Sequence, residues 1–218
     1  MGTDLHDLLR SLRVWDVELP AFDPSDAPGE PLGLFTEWFA DAVAAGQTEP
    51  HTMSLATADE EGLPDVRTVM LHGADASGWA FATHRDSRKG RQLAARPYAA
   101  LGFYWPARGR QVRVRGPVTA APSAESQADL HARSTGALAA ALTGRQSEVL
   151  GSPEELERAS RAAWERARRE PDAPVPTWTL YRVRPDEVEF FQGDAERRHV
   201  RLVYRRAESG WVKELLWP

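Results

Sequence analysis

The apolar residues change their spacing several times along this chain. Leu5, Leu8, Leu9 and Leu12 form a weak amphipathic stretch, and LPAFDPSDAPGEP follows it. The prolines and acidic residues of that second piece predict an extended lead-in over residues 1–30. Leu32, Leu34, Phe35, Trp38, Phe39 and Val43 then recur at helical spacing, which predicts an amphipathic helix ending near Gly46. From His51 the pattern shortens to strands: MSLATA, Val66–Leu71, Trp79–Thr83 and Ala100–Trp105. Glu61-Gly62 and Ser77-Gly78 are placed as hairpin turns. Gln111–Val118 alternates, with Val112, Val114 and Gly116 on one side and Arg113 and Arg115 on the other, as a half-exposed antiparallel strand does.

Residues 123–170 turn helical. Ser152, Pro153 and Glu155 form a capping box with proline at the first helical position, where its missing N–H costs nothing. Glu154–Arg158, Glu157–Arg161 and Glu165–Arg169 are spaced as i,i+4 pairs on an exposed face. After PDAPVP come four more strands: Trp178–Val183, Val188–Gln192, Arg201–Arg205 and Trp211–Leu216. Strands, a helical insertion and more strands predict an α+β chain, mainly β: one antiparallel barrel with helices at its edge.

Composition narrows the function. A net charge of −5 argues against a general nucleic-acid binder. Two of the 27 basic residues are Lys89 and Lys213 and the rest are Arg, so arginines are discounted as a functional signal. With no cysteine, disulfides, thiolate metal sites and cysteine nucleophiles are excluded. No apolar run reaches the roughly 18 residues of a membrane span, and MGTDLHDLLR lacks the pattern of a signal peptide. A cytoplasmic protein without membrane or nucleic-acid partners is expected. No glycine-rich nucleotide loop, GxSxG elbow or metal-ligand spacing among the six His occurs, so no metal is expected.

Three segments could carry chemistry. In THRDSRKGRQL, Ser87 is placed as an N-cap, which puts Arg88 and Lys89 in the first helical turn. Cations there oppose the helix dipole by roughly 0.3–1 kcal/mol each, and a bound anion would reverse the sign; a solvated basic turn is the other reading. Arg67 within VRTVML and Gln111 at the start of the alternating strand are unremarkable alone. In RRHVR, a strand would put Arg197, His199 and Arg201 in one polar row, as would an ordinary surface strand.

Taken together these segments resemble the pyridoxamine 5′-phosphate oxidase family. The similarity runs from about Pro31 to Pro218 through RTVML, FATHRDSRKGRQL, RQVRVRG, RQS, VEFFQG and RRHVRLVYRR, in order. It implies residues 31–218 as a single FMN-binding split-barrel domain with peripheral helices, with residues from about 176 to 218 as a dimerisation region. It also implies a homodimer with FMN at the subunit interface. By position, Arg67, Thr68, Val69, Met70, Thr83, Arg88, Lys89, Gln111, Gln146, Ser147, Phe191 and Arg201 match FMN contacts. Phe191 stands where the family usually has Trp. Arg197 and His199 match the residues that hold substrate over the flavin, and the implied chemistry is hydride transfer from substrate to FMN with reoxidation by O2.

The departures bear on the substrate. The family grips its substrate phosphate with Lys, Tyr, Arg and Ser; here those positions are His72, Asp129, Arg133 and Ala137. A carboxylate facing a phosphate is repulsive, and each lost charge-assisted hydrogen bond costs about 1.5–3 kcal/mol. FATHRDSRKGRQL, FYW and GRQSEVL are more similar to the phenazine-biosynthesis oxidases, which implies a reduced flat ring without a phosphate, such as a dihydrophenazine-type carboxylate. The alternatives are a genuine pyridoxamine/pyridoxine 5′-phosphate oxidase with a rebuilt clamp, and a flavin-binding module without catalysis.

Overall fold

The computed structural model describes residues 4–15 and 17–218. The helices are α1 (Leu5–Ser11), α2 (Pro31–Ala44), α3 (Arg88–Ala95), α4 (Ser123–His131), α5 (Thr135–Thr143) and α6 (Pro153–Arg169). Between α2 and α3 run β1 (Thr52–Ala58), β2 (Pro64–Met70), β3 (Gly73–Asp75) and β4 (Gly78–His84). Then come β5 (Tyr98–Trp105) and β6 (Arg110–Ala120). Beyond α6 lie β7 (Trp178–Val183), β8 (Glu187–Gln192), β9 (Val200–Arg206) and β10 (Trp211–Leu216). The pairs β1–β2, β1–β5, β3–β4, β4–β7, β6–β7 and β9–β10 are antiparallel, giving the expected α+β architecture. No described helix is long and apolar enough to cross a membrane.

The chain divides into two compact units, to both of which β5 and β6 contribute. The first takes residues up to Pro50, Phe103–Arg113 and Val188–Pro218. Here β10, β9, β8, β6 and β5 lie side by side, with Trp211 opposite Arg206 and Leu216 opposite Arg201. The apolar face of α2 covers them: Trp38 meets Phe190 edge to face at 5.2 Å, and Phe35 meets Phe103 at 5.1 Å. Arg110 lies 4.3 Å over the Trp38 ring and is tied to Asp41 and Gln192, so the charge buried in this core is paired. The lead-in is fixed by two donors, Tyr204 Oη to the Pro28 carbonyl and Lys213 Nζ to the Ala27 carbonyl. Within it, Trp15 has a left-handed φ of 56° and packs 5.1 Å from the His199 ring.

The second unit holds His51–Gly102 and Val114–Glu187. It contains β5, β1 and β2 in order, with β2 outermost, and the series β3, β4, β7, β6. The β1–β2 hairpin turns at Glu60–Gly62, where Gly62 has φ 88°, and β3–β4 turns at Ser77-Gly78. A Cβ at Gly78 would lie 2.3 Å from the Val183 carbonyl oxygen, so β4 approaches β7 there only as glycine. Helices α4, α5 and α6 enclose a small core of Leu130, Leu138, Ala139, Ala141, Ala167 and Val175. Ser152 caps α6 through the Glu155 amide, as the capping box predicts. Of the three expected i,i+4 pairs, Glu157–Arg161 closes at 2.7 Å.

Candidate active site

In the second unit the turn after β4 sets the first cluster. Ser87 Oγ accepts from the Gly90 amide at 3.2 Å and donates to the His84 carbonyl at 2.7 Å, which starts α3 at Arg88. A Cβ on Gly90 would sit 2.2 Å from the Arg85 carbonyl oxygen, so only glycine allows this tight entry. Lys89 then reaches Thr83 Oγ1 at 3.3 Å, and the Arg88 amide donates to Ser147 Oγ at 3.1 Å. Ser147 presents its hydroxyl from a loop in which it and Arg145 have φ 71° and 62°. On β2, Arg67 alternates inward. It donates to Thr57 Oγ1 at 2.5 Å, Gln92 Oε1 at 3.0 Å and the Leu55 carbonyl at 3.2 Å. Thr68 and Met70 face out on the same strand, while Val69 is half-buried.

One residue of this cluster was not anticipated. Asp65 Oδ2 lies 2.7 Å from Arg67 and 3.0 Å from Arg88 and so bridges both. The signal was present, since Asp65 and Arg67 are two apart on one strand and must share a face. Asp65 is held below the ordinary carboxylate range: burial opposes this, and Arg67, Gln92 and Arg88 together outweigh it. Burial and then the neighbouring Arg67 push the Lys89 ammonium down, against the pull of Asp65. A group so placed gains from an added anion. The donor set of Arg67, Arg88, Lys89, Thr83, Ser147 and a helix start therefore fits a phosphate.

The second cluster of this unit gathers three of the four clamp positions. His72 Nδ1 lies 3.1 and 3.2 Å from the two Asp129 oxygens. Arg133 meets the same carboxylate at 3.2 and 3.4 Å. Trp178 Nε1 donates to it at 3.3 Å, and the indole lies stacked near the His72 ring. Hydrogen bonds from His72 and Arg133, with their charges, depress the Asp129 carboxyl strongly, and burial opposes them. Asp129 thus joins His72 and Arg133 in space. Ala137 stands in the first turn of α5, where its amide is capped by Ser134 and its methyl adds no polar group. Gln146 lines a separate cavity of about 470 Å³ with Val149, Leu150 and Leu156.

The first unit holds the remaining positions. A cavity of about 240 Å³ is lined by Gln111, Arg113, Glu189, Phe191, Arg201 and Pro218. Arg201 Nε donates to Glu189 Oε1 at 2.9 Å, and its terminal nitrogen to the Trp217 carbonyl at 2.8 Å. Arg197 and His199 depart from expectation, because they do not lie on a strand with Arg201. β9 begins at Val200. Asp194 Oδ1 accepts from the Glu196 and Arg198 amides, closing a side-chain turn that sends Arg197 to φ 68°. His199 Nδ1 accepts from the Asp194 amide at 3.1 Å, which leaves the ring proton on Nε2. Its ring packs 5.1 Å from Phe191. Among the described residues no group of three His, Cys, Asp or Glu could hold a metal ion.

The sequence matches two family profiles, pyridoxamine 5′-phosphate oxidase over residues 39–166 and the pyridoxine 5′-phosphate oxidase C-terminal dimerisation region over residues 178–218. It is 44% identical over 197 residues to a pyridoxine/pyridoxamine 5′-phosphate oxidase of Pseudomonas fluorescens, covering 89% of this chain and 91% of that protein. A namesake from Burkholderia multivorans is 43% identical over 91% of this chain and 94% of its own length. Among solved structures, PhzG from Burkholderia lata 383 in complex with tetrahydrophenazine-1-carboxylic acid aligns with a TM-score of 0.86 and 30% identity. That alignment covers 92% of this chain and 99% of PhzG. An FMN-binding protein from Nostoc punctiforme shares the fold, with a TM-score of 0.69 at 22% identity over 91% of this chain and 99% of its own. With both profiles matched in order over most of its length, the chain belongs to the pyridoxamine 5′-phosphate oxidase family, whose members are oxidoreductases.

Proposed function

We propose that this protein is an FMN-dependent oxidase acting as a homodimer on a reduced, flat ring compound that carries no phosphate. The observation that carries the substrate reading is the Asp129 carboxylate, bound by His72, Arg133 and Trp178. The one arginine kept at the clamp already faces an anion of this chain. A phosphate dianion entering beside Asp129 would be repelled by its carboxylate and would have to take Arg133 from it. A neutral or singly charged substrate avoids that conflict, as a tricyclic monocarboxylate like the ligand of PhzG does.

FMN fits the residues present. Arg67, Arg88, Lys89, Thr83 and Ser147 would hold its phosphate, and Gln111, Phe191 and Arg201 would contact its ring system. When bound, FMN would supply the electron sink for oxidation of the substrate, with O2 as the final acceptor. The protein's part is orientation. Arg197 and His199 would hold the substrate ring, with the His199 Nε2–H available as a donor and the imidazole packed at a tilt on Phe191. Val66, Met70 and Leu215 are exposed on β2 and β10, and residues 178–218 match a dimerisation region. Both observations support association of two copies.

Steady-state turnover of the purified holoprotein decides the substrate class. Oxidation of a reduced phenazine carboxylate, with little or no turnover of pyridoxamine or pyridoxine 5′-phosphate, is expected. Efficient turnover of either phosphate at micromolar concentration overturns the substrate reading. That outcome would favour a genuine pyridoxamine 5′-phosphate oxidase with a rebuilt clamp, the reading supported by the 44% identity to proteins so named.

A further inference from the structure

The first unit contains a carboxylate that the reaction as described does not use. Glu189 sits on β8 with its side chain 6% exposed, between two guanidinium groups. Arg201 Nε meets one oxygen at 2.9 Å and the other oxygen takes a hydrogen bond from Arg113. Burial disfavours its charge, and hydrogen bonds from Arg201 and then Arg113 more than offset this, so it is held ionised. Its place is specific. It lines the same 240 Å³ cavity as Gln111, Phe191 and Arg201, an amide, an aromatic face and a cation around one small space. A buried anion serving the fold alone needs no such neighbours.

We infer that Glu189 is a positioning residue for the flavin, acting through Arg201. The two arginines differ in a way that assigns their parts. Arg113 is 59% exposed on the outward side of β6, between the buried Val112 and Val114, so it supplies charge balance from the solvent side. Arg201 is 27% exposed and is fixed at two points, Nε on Glu189 and a terminal nitrogen on the Trp217 carbonyl. That double anchorage sets the plane of the guanidinium and leaves its remaining N–H groups for a ligand in the cavity. Five donors in a rigid fork make orientation decisive, because a rotated fork loses its bonds together. Glu189 also offsets the positive charge of Arg201 next to the cavity. A redox ring held there therefore meets an oriented donor with most of its charge compensated. Replacing the carboxylate with an amide removes the compensation and one strong acceptor at once.

The inference rests on the FMN reading, and the experiment separates the two. The FMN dissociation constant is measured by fluorescence quenching, and the midpoint potential of bound flavin by dye titration. Both use the full-length protein and its Glu189→Gln, Glu189→Asp and Arg113→Gln forms. Glu189→Gln is expected to weaken FMN binding about tenfold or more, as loss of one charge-assisted contact implies. It should also move the potential upward, because an uncompensated cation stabilises the reduced, more negative flavin. Arg113→Gln should weaken FMN binding less than Glu189→Gln does and should lower rather than raise the potential, because Glu189 keeps its bond to the more buried Arg201 while one cation is lost. Glu189→Asp keeps the charge but shortens the reach, so it should restore the potential while binding stays weakened. It also serves as the reporter if the amide variant does not fold. Unchanged affinity and potential in Glu189→Gln, with a lowered melting temperature only, would overturn the inference and leave a structural carboxylate. No FMN binding by the unmodified protein would overturn the cofactor reading, and this inference with it.

Discussion

Asp129 is the residue on which the substrate reading turns, and it makes two further commitments. Its pKa is depressed in the fold from an unfolded value near 3.8. Its contribution to stability is therefore fully present above that value and is lost as pH falls toward the folded pKa. Urea unfolding should show Asp129→Asn destabilised by roughly 1–3 kcal/mol at neutral pH, because the buried partners lose an ionised acceptor. The gap should stay constant down to about pH 5 and narrow below it. A gap that widens on acidification would show that the carboxylate is not ionised in the fold. The second commitment concerns specificity. Replacing His72 by Lys and Asp129 by Tyr together should confer turnover of pyridoxamine 5′-phosphate, while either change alone should do less, because the two side chains contact each other. At the cofactor end, Lys89→Ala should weaken FMN binding before it affects turnover of the loaded protein. Arg197→Ala should lower turnover far more than FMN occupancy, read from flavin absorbance per chain.

Among the elements, what was legible in the sequence was local. The α2 periodicity, the α6 capping box and the Gly62 and Gly78 hairpins each rest on a few neighbouring residues, and each formed within a residue or two of expectation. β3 was missed because Gly-Ala-Asp is three residues with no apolar alternation and is defined only by its partner β4. The row Arg197–His199–Arg201 failed for a comparable reason. Spacing of two implies one face only if the strand has begun, and the Asp194 turn delays it to Val200. The basic half of the candidate site was readable as motif, whereas two of its pairings with carboxylates were not. Glu189 is separated by 76 residues from Arg113, and Asp129 by 57 from His72. Such pairs are made by tertiary packing and leave no local pattern. Helix α3 offers a sharp test of what is local. Gly90→Ala should displace its first turn, since the new Cβ would fall 2.2 Å from backbone oxygen. The loss should appear as weaker FMN binding together with reduced thermal stability.

For the whole molecule, the exposed apolar residues have a bearing on assembly. Trp217, Leu215 and Val212 are exposed around β10, within the region matched to dimerisation. Leu215→Glu should shift the protein from dimer to monomer in sedimentation velocity, and FMN should be released with it if the cofactor is shared between copies. Retention of FMN by a stable monomer would place the whole flavin site in one chain.

Arg67 and Arg88 share Asp65, Arg133 faces Asp129, and Arg201 faces Glu189. Lys89, by contrast, is bonded to the neutral Thr83 hydroxyl, so Asp65 offsets one of the three positive charges gathered at the phosphate site. Loading would therefore exchange partners at the arginines and give Lys89 an anion in place of a hydroxyl. FMN capture should weaken as salt is added, but by less than three unpartnered cations would imply.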